Sequence, residues 1–315
     1  MKRAKTESVL PTGHLGELIE RFQSQRPLRT GSLIITIYGD AIAPRGGTVW
    51  LGSLIQLLET FGISQRLVRT SVFRLVREGW LLTDKVGRRS YYSLTASGRR
   101  RFEQAFKRVY AASQPDWEGA WTMAILNQVS VERRKSVRDE LEWMGFGAFA
   151  PAIMAHPTVD RSDVVAQLQD MNVLDDVILL DTTAQERFAS RPLRLLVREA
   201  WNLDQLSASY QDFLEQFRPL WNEMRTRDAL DPEECFLARI LLIHEYRKVL
   251  LRDPLLPEEL LPSDWEGRAA RQLCRNLYRL TCDGAEQWMS EQLETAEGPL
   301  PAPHPGFHKR FGGLA

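Results

Sequence analysis

Cysteine is scarce, and the little there is cannot staple a fold. Cys235, Cys274 and Cys282 lie far apart with no CxxC pair. Three thiols cannot all be bridged within one chain, so a reducing compartment is expected. No apolar run approaches the ~20 residues needed to span a bilayer. The basic start MKRAKTESVL is not followed by the apolar core of a secretion signal. Both absences point to a soluble cytoplasmic protein that makes no use of a membrane. Motifs of nucleotide and catalytic chemistry are missing as well: there is no GxGxxG, no GxxxxGK followed by Ser or Thr, no HExxH and no GxSxG. The five histidines are scattered. His304 and His308 straddle Pro305 and Gly306 without companion ligands for a metal, and His156 precedes a proline and reads as a surface residue. Neither a catalytic residue nor a metal nor a cofactor is expected, and no internal repeat is visible.

Net charge is absent too, since 41 Lys plus Arg balance 41 Asp plus Glu. The balance hides a division. Residues 1 to 115 hold 19 basic and 8 acidic residues, net +11, whereas residues 116 to 315 hold 22 and 33, net −11. The cationic part would attract polyanions by releasing their counterions, and the acidic part would stay off them.

Within the cationic part, GISQRLVRTSVFRLVREGWLLTDKVGRRSYYSLT, from Gly62 to Thr95, carries the most information. At ~100° per residue, Leu67, Val68, Val72, Leu75 and Val76 share one half-turn, with Arg66, Arg69, Thr70, Phe73 and Arg77 opposite and Arg74 beside them. Ser64 can cap this helix and Gly79 can stop it. Trp80 to Thr83 and Ser90 to Leu94 then read as two strands joined by a turn bearing Lys85, Gly87, Arg88 and Arg89. Helix, strand, basic turn and strand make a winged helix-turn-helix. Arginine suits such a surface because its fork grips either guanine O6 and N7 or phosphate oxygens. An ordinary solvated basic helix beside a hairpin is the alternative. Upstream, Ser32 to Tyr38 and Leu51 to Phe61 read as short helices covering the apolar face. Arg45, in the loop between them, either touches phosphate or is merely exposed, and exposure is expected. Thr95 to Ala112 reads as a basic linker helix.

Gln114 to Gly119 marks a boundary. Beyond it, strand (Ala120 to Leu126), helix (Val131 to Met144), strand (Gly147 to Ala150, continuing through Ile153), helix (Ser162 to Met171) and strand (Asp176 to Leu180) suit a ferredoxin-like α/β sandwich. Four helices follow: Leu193 to Trp201, Leu206 to Met224, Pro232 to Leu251 and Asp264 to Trp288. The prolines of Asp253 to Pro262 interrupt them, and the Pro- and Gly-rich tail from Glu297 is expected to be extended and either docked or loose. The fold class is α+β: an N-terminal arm (1–29), a winged helix-turn-helix domain with its linker helix (30–113), a ferredoxin-like domain (114–190) and an all-α C-terminal domain (191–315). One cationic series lies in the acidic part: His244, Arg247, Lys248, Arg252, Arg268, Arg271 and Arg275, with Tyr246, Trp265 and Tyr278 among them. It either binds a multiply charged small anion or pairs with Glu245, Asp253, Glu258, Glu259, Asp264 and Glu266.

The runs YGDAIAPRGGTVWLGSLIQLLETFGISQRLVRTSVFRLVREGW, PDWEGAWTMAIL, LEWMGFGAFAPAIMAHP, LLIHEYRKVLLRDPLLPEELLPSDWEGRAARQLC and KRFGGL resemble the PaaX family of phenylacetic-acid catabolic repressors, from about Thr30 to the C-terminus. That resemblance implies a homodimeric repressor of phenylacetate catabolic genes, bound to double-stranded operator DNA and released by phenylacetyl-coenzyme A. It puts the DNA-reading helix on Ser64, Arg66, Arg69, Thr70, Phe73, Arg74 and Arg77, and the wing on Lys85, Arg88 and Arg89. The cationic series from His244 to Arg275 is the expected place for the effector's phosphates. The resemblance also implies a central domain related to a CRISPR integration nuclease, whose metal-binding aspartate would fall on Asn127 here, and an amide is a poor ligand for a hard divalent cation. A metal-dependent nuclease or an enzyme acting on acyl-coenzyme A is the competing class, and a non-specific architectural DNA binder a third.

Overall fold

A computed structural model describes residues 11–111, 117–183 and 190–314. Part of the expected boundary at Gln114 to Gly119 and part of the N-terminal arm therefore lie outside the described residues. Helices and antiparallel sheets are both present. The chain divides into two compact units, one from Met1–Ala112, Gln211–Leu250 and Arg268–Ala315 and the other from Ser113–Tyr210 and Leu251–Gly267.

The first unit begins with α1 (His14–Ser24), which no sequence signal announced, and α2 (Thr30–Ile37), which widens into a π turn over Tyr38–Ile42. Strand β1 (Thr48–Trp50) leads into α3 (Leu51–Glu59) and α4 (Gln65–Arg77). Strands β2 (Leu81–Val86) and β3 (Arg89–Leu94) form a hairpin, and α5 (Ala96–Val109) follows. The sheet order is β1-β3-β2, antiparallel throughout. The hairpin is longer than its apolar residues suggest: Lys85 and Arg89 are inside the strands, and the turn is Gly87 and Arg88 alone. Gly87 has φ 61° and takes the first central position, which a II′ turn reserves for glycine.

Helix α10 (Pro232–Leu250) is buried almost all round from Cys235 to His244, as expected of a helix with apolar residues on every side. Ile19, Phe22, Leu33, Ile34, Leu58 and Phe61 join it in the core of this unit. Most of α9 (Leu203–Met224) and of α11 (Glu266–Gln292) belongs to this unit as well, followed by the short pair β8 (Glu294–Thr295) and β9 (Gly298–Pro299).

Inside this core sits a cluster of charges. Asp40 is fully buried. Its Oδ2 accepts from Arg239 Nε (2.6 Å), and its Oδ1 accepts from Tyr278 Oη (2.9 Å), Arg310 Nη1 (2.9 Å) and Tyr110 Oη (2.5 Å). Glu286 accepts from Arg239 Nη1 at 2.7 Å and from Arg45. Three guanidiniums thus meet two carboxylates. The excess cation is spread over aromatic faces, with Arg310 4.0 Å above Tyr110 and Arg239 4.7 Å above Tyr278. This corrects two expectations. Arg45 is 4% exposed rather than solvated, because burial beside Glu286 completes the cluster. The tail from Pro305 to Gly312 forms 3-10 turns rather than running extended, and it is docked, burying Phe307, Arg310 and Phe311 against the cluster.

The second unit holds β4 (Ala120–Ile125), α6 (Val131–Trp143), β5 (Gly147–Ala150), β6 (Ile153–His156), α7 (Arg161–Asp170), β7 (Ile178–Thr183) and α8 (Arg191–Ala200). Its four-stranded antiparallel sheet has the order β5-β6-β4-β7. Ala124, Leu126 and Met154 pack against Val137, Leu141, Val164 and Leu168 of the two helices α6 and α7. Three expectations are corrected here. Gly147 to Ile153 is two strands, since the chain turns at Pro151 and Ala152. The last strand starts later because Leu174–Asp176 close a 3-10 turn. His156 is buried at the end of β6, where its Nδ1 accepts from Thr158 N at 3.0 Å. Asn127 follows β4.

Candidate nucleic-acid interface

Helix α4 is delimited as its sequence dictates. Ser64 Oγ accepts from Leu67 N at 3.4 Å, and Gly79, with φ 73°, ends the helix in the left-handed conformation. Val68, Ser71, Val72 and Leu75 are buried, and α2 and α3 pack on this side. Arg66, Arg69, Thr70, Phe73, Arg74 and Arg77 are all exposed. Phe73 is 70% exposed, an unusual position for a large apolar side chain on a helix that has an apolar face to bury it.

The exposed residues differ in their partners. Thr70 Oγ1 donates to Arg66 O at 3.0 Å. Arg74 Nε stands 3.7 Å from Glu78 Oε1, a surface pair of little energetic weight. Its guanidinium also lies against the first turn of α2, where a Cβ added to Gly31 would stand 2.6 Å from Arg74 Nη2. On the hairpin, Lys85 and Arg88 are exposed. Arg89 is held from two sides: its guanidinium lies 4.3 Å above the Trp50 ring, and Nη1 donates to Glu294 Oε2 at 2.8 Å. Glu294 N in turn donates to Ser53 Oγ at 3.1 Å, which fixes the carboxylate's backbone beside α3.

The second cationic series divides in two. His244, Arg247 and Lys248 occupy the last turns of α10 and Arg252 follows that helix, whereas Arg268, Arg271 and Arg275 follow one another along a face of α11, half-buried. His244 is fully buried, with Nδ1 3.0 Å from Thr36 Oγ1 of α2. Burial, with Arg247, Lys248 and Arg29 adding their charges, holds its pKa well below the usual imidazole value, so the ring is neutral. Arg247 Nη2 donates to Ser32 Oγ at 2.9 Å, and Lys248 Nζ donates to Glu245 Oε2 at 2.7 Å. The sequence reading missed Arg29, Thr30 and Ser32, which α2 brings to the end of α10; nothing in their spacing announces a long-range contact. Among the described residues, no three His, Cys, Asp or Glu side chains converge as a metal site, and no helix is long and apolar enough to cross a membrane.

Three family models match successive parts of the chain: PaaX-like protein over residues 29–98, PaaX protein central Cas2-like domain over 114–193 and PaaX-like protein C-terminal domain over 201–291. Transcriptional repressor PaaX of Escherichia coli (strain K12) is 42% identical over 301 residues, covering 95% of each chain. The chain belongs to the PaaX family. Of solved structures, uncharacterized protein Rv0674 from Mycobacterium tuberculosis aligns with a TM-score of 0.49 at 23% identity, over 75% of this chain and 89% of that one. The first of the three family models contains α4 and the β2–β3 hairpin entire, so the exposed cationic face belongs to a part that this PaaX-family chain shares with the family model.

Proposed function

We propose that this protein is a sequence-specific DNA-binding transcriptional repressor of phenylacetate catabolic genes, without catalysis, released from its operator by phenylacetyl-coenzyme A. The repressor name of the E. coli relative supports this. The observation that carries it is the two-sided character of α4, with a wholly exposed Arg66, Arg69, Thr70, Phe73, Arg74 and Arg77 face next to a basic hairpin.

In this reading α3, α4 and the β2–β3 hairpin are a winged helix-turn-helix, with domain limits of 30–113, and residues 1–29 are its arm. The order β-α-β-β-α-β of residues 114–190 makes the central domain ferredoxin-like, and 191–315 is the effector-binding helical domain, in which His244, Arg247, Lys248, Arg252, Arg268, Arg271 and Arg275 meet the coenzyme's phosphates. Arginines of α4 read base edges while Ser64 caps the helix at the groove, and Lys85, Arg88 and Arg89 set the hairpin on phosphates. A twofold homodimer presents two such helices about 34 Å apart, one turn of DNA. Footprinting on the chain's own upstream region tests the reading: a protected, twofold-symmetric site is expected, and protection without sequence preference would overturn it.

The hairpin makes a separate prediction. Arg88→Ala should weaken binding to all sequences alike and lower the slope of log affinity against log salt by about one. Glu294→Gln should do the reverse, since it frees Arg89 from its carboxylate partner while Trp50 still supports the guanidinium. Filter-binding titrations across a salt series read both variants, and an unchanged slope in each would remove the hairpin from the interface.

A further inference from the structure

Cations surround the first turn of α2, and it and the facing end of α10 hold buried polar atoms with no partner among the described residues. Thr30 is 2% exposed, and its hydroxyl has no partner. Arg247 donates to Ser32 through Nη2, yet its buried Nε has no partner. Thr36 Oγ1 donates to Ser32 O at 3.1 Å, so it must accept from His244, and Nδ1 is therefore the protonated nitrogen. That leaves His244 Nε2 as a buried lone pair, also unpartnered. A buried donor or acceptor left unmade is costly, and here three occur in α2 and the last turns of α10, which pack together. Arg29, Arg247 and Lys248 lie close enough to act on His244, Arg74 lies against Gly31, and the carboxylate at hand is Glu245, already paired with Lys248. A helix N-terminus adds its own partial positive charge.

We propose that the first turn of α2, with Arg29, Thr30, His244, Arg247 and Lys248, binds an oxyanion that also carries an O–H or N–H, either a phosphate group or a carboxylate next to an amide, and that Arg74 reports its occupancy to α4. The donors Thr30 Oγ1 and Arg247 Nε take the oxyanion's oxygens, and His244 Nε2 accepts from the ligand's own donor. Arg74 is the one cation of this set that belongs to α4. An oxyanion at Gly31 draws its guanidinium inward, away from the exposed face, so occupied site and DNA compete for the same side chain. By linkage, DNA lowers the affinity for the anion by the factor with which the anion lowers that for DNA. The site deepens the effector reading given above, and its coupling half rests on the repressor reading; its binding half does not.

Calorimetric titration of the full chain with inorganic phosphate, N-acetylglycine and coenzyme A tests the binding half and separates phosphate from carboxylate recognition. At least one probe should bind at about 1 mM or below. Thr30→Val and Arg247→Gln should each weaken the tightest probe about tenfold, as loss of a hydrogen bond to a charged group requires, while Arg138→Gln on the second unit should not. Lys248→Gln, at a half-exposed position, provides a variant that folds if the buried ones do not, and it should weaken binding in the same direction. No binding by any probe, or binding that none of the three variants weakens, overturns the site. For the coupling half, Arg74→Gln should still bind the probe, but the probe should no longer shift the chain's DNA affinity; a shift as large as in the wild type overturns the role of Arg74. Anion binding by a chain that fails to bind operator would end the repressor reading and leave the site standing. Operator binding without anion binding would do the opposite.

Discussion

Asp40→Asn is expected to destabilise the protein by about 3–5 kcal/mol, the cost of leaving buried cations without their counter-charge. Asparagine keeps the shape of aspartate but removes the charge that Arg239 and Arg310 both face. Glu286 is then the one carboxylate named in the cluster, with Arg45 and Arg239 already upon it. For a unit of this size the loss corresponds to a melting-temperature drop of roughly 6–20 °C. A double variant separates charge imbalance from simple loss of packing. Arg310→Met removes one of the stranded cations and keeps an apolar stem against Tyr110 and Phe307, so Asp40→Asn/Arg310→Met should lose less stability than the two single losses added together. Strict additivity would mean that the two residues do not act as a pair.

The pH dependence of that difference has a defined sign. Burial pushes the Asp40 carboxyl up, but Arg239, Arg310 and the hydrogen bonds from Tyr110 and Tyr278 more than reverse this and hold its pKa below the usual carboxylate range. A group depressed in the native state contributes stability that is present above its unfolded-chain value of about 4 and is lost as pH falls through the native value. The gap between wild type and Asp40→Asn should therefore be flat through neutral pH and close only below about pH 4. Denaturant titrations at a series of pH values measure it. A gap that closed between pH 6 and 8 would mean that another group is responsible. The cluster matters to α4 because Asp40 lies in the π turn that continues α2, and α2 is one of the helices on which α4 rests.

What could be read from the sequence depended on the range of the interaction. Helix α4 was legible because everything that defines it is local: a cap at Ser64, a stop at Gly79 and an apolar period that separates Val68, Val72 and Leu75 from the exposed arginines. The strand ends of the hairpin were not, because Lys85 and Val86 are exposed and a strand with no buried face has no alternating pattern to read. Gly147 to Ile153 looked continuous because Pro151 and Ala152 separate two strands without a polar turn signal. The Asp40 cluster is joined from residues about 200 and 270 positions apart, beyond any period. It did leave one trace: Arg239 interrupts FLARILLIH, and a charge amid apolar residues needs a buried partner. Arg45, read as exposed, followed the usual preference of arginine, which the pairing with Glu286 overrides. The same long-range pairing brings Thr30 and Ser32 to His244 and Arg247, so the residues proposed for the anion were only half visible.

Arg69 gives the largest expected effect on recognition. It lies between Arg66 and Phe73 on the exposed face of α4, one residue beyond the buried Val68. Its removal cannot open a cavity, and alanine is the better helix former. Arg69→Ala should therefore leave the melting temperature within about 1 °C of the wild type and lower operator affinity by about 1–3 kcal/mol, roughly 5- to 150-fold, if its fork reads a base. Arg69→Lys separates the two uses of the charge. Lysine still neutralises a phosphate but cannot span guanine O6 and N7 with two parallel donors. If Arg69 reads a base, the lysine variant should bind random DNA about as well as the wild type while losing most of its preference for the operator. If Arg69 only touches phosphate, lysine should restore both affinities, and the salt slope should match the wild type. Competition binding with operator and scrambled duplexes at fixed salt distinguishes these outcomes. Full operator preference in both Arg69→Ala and Arg69→Lys would move sequence reading off the centre of α4, to Phe73 and Arg77 on the same face or to another part of the chain.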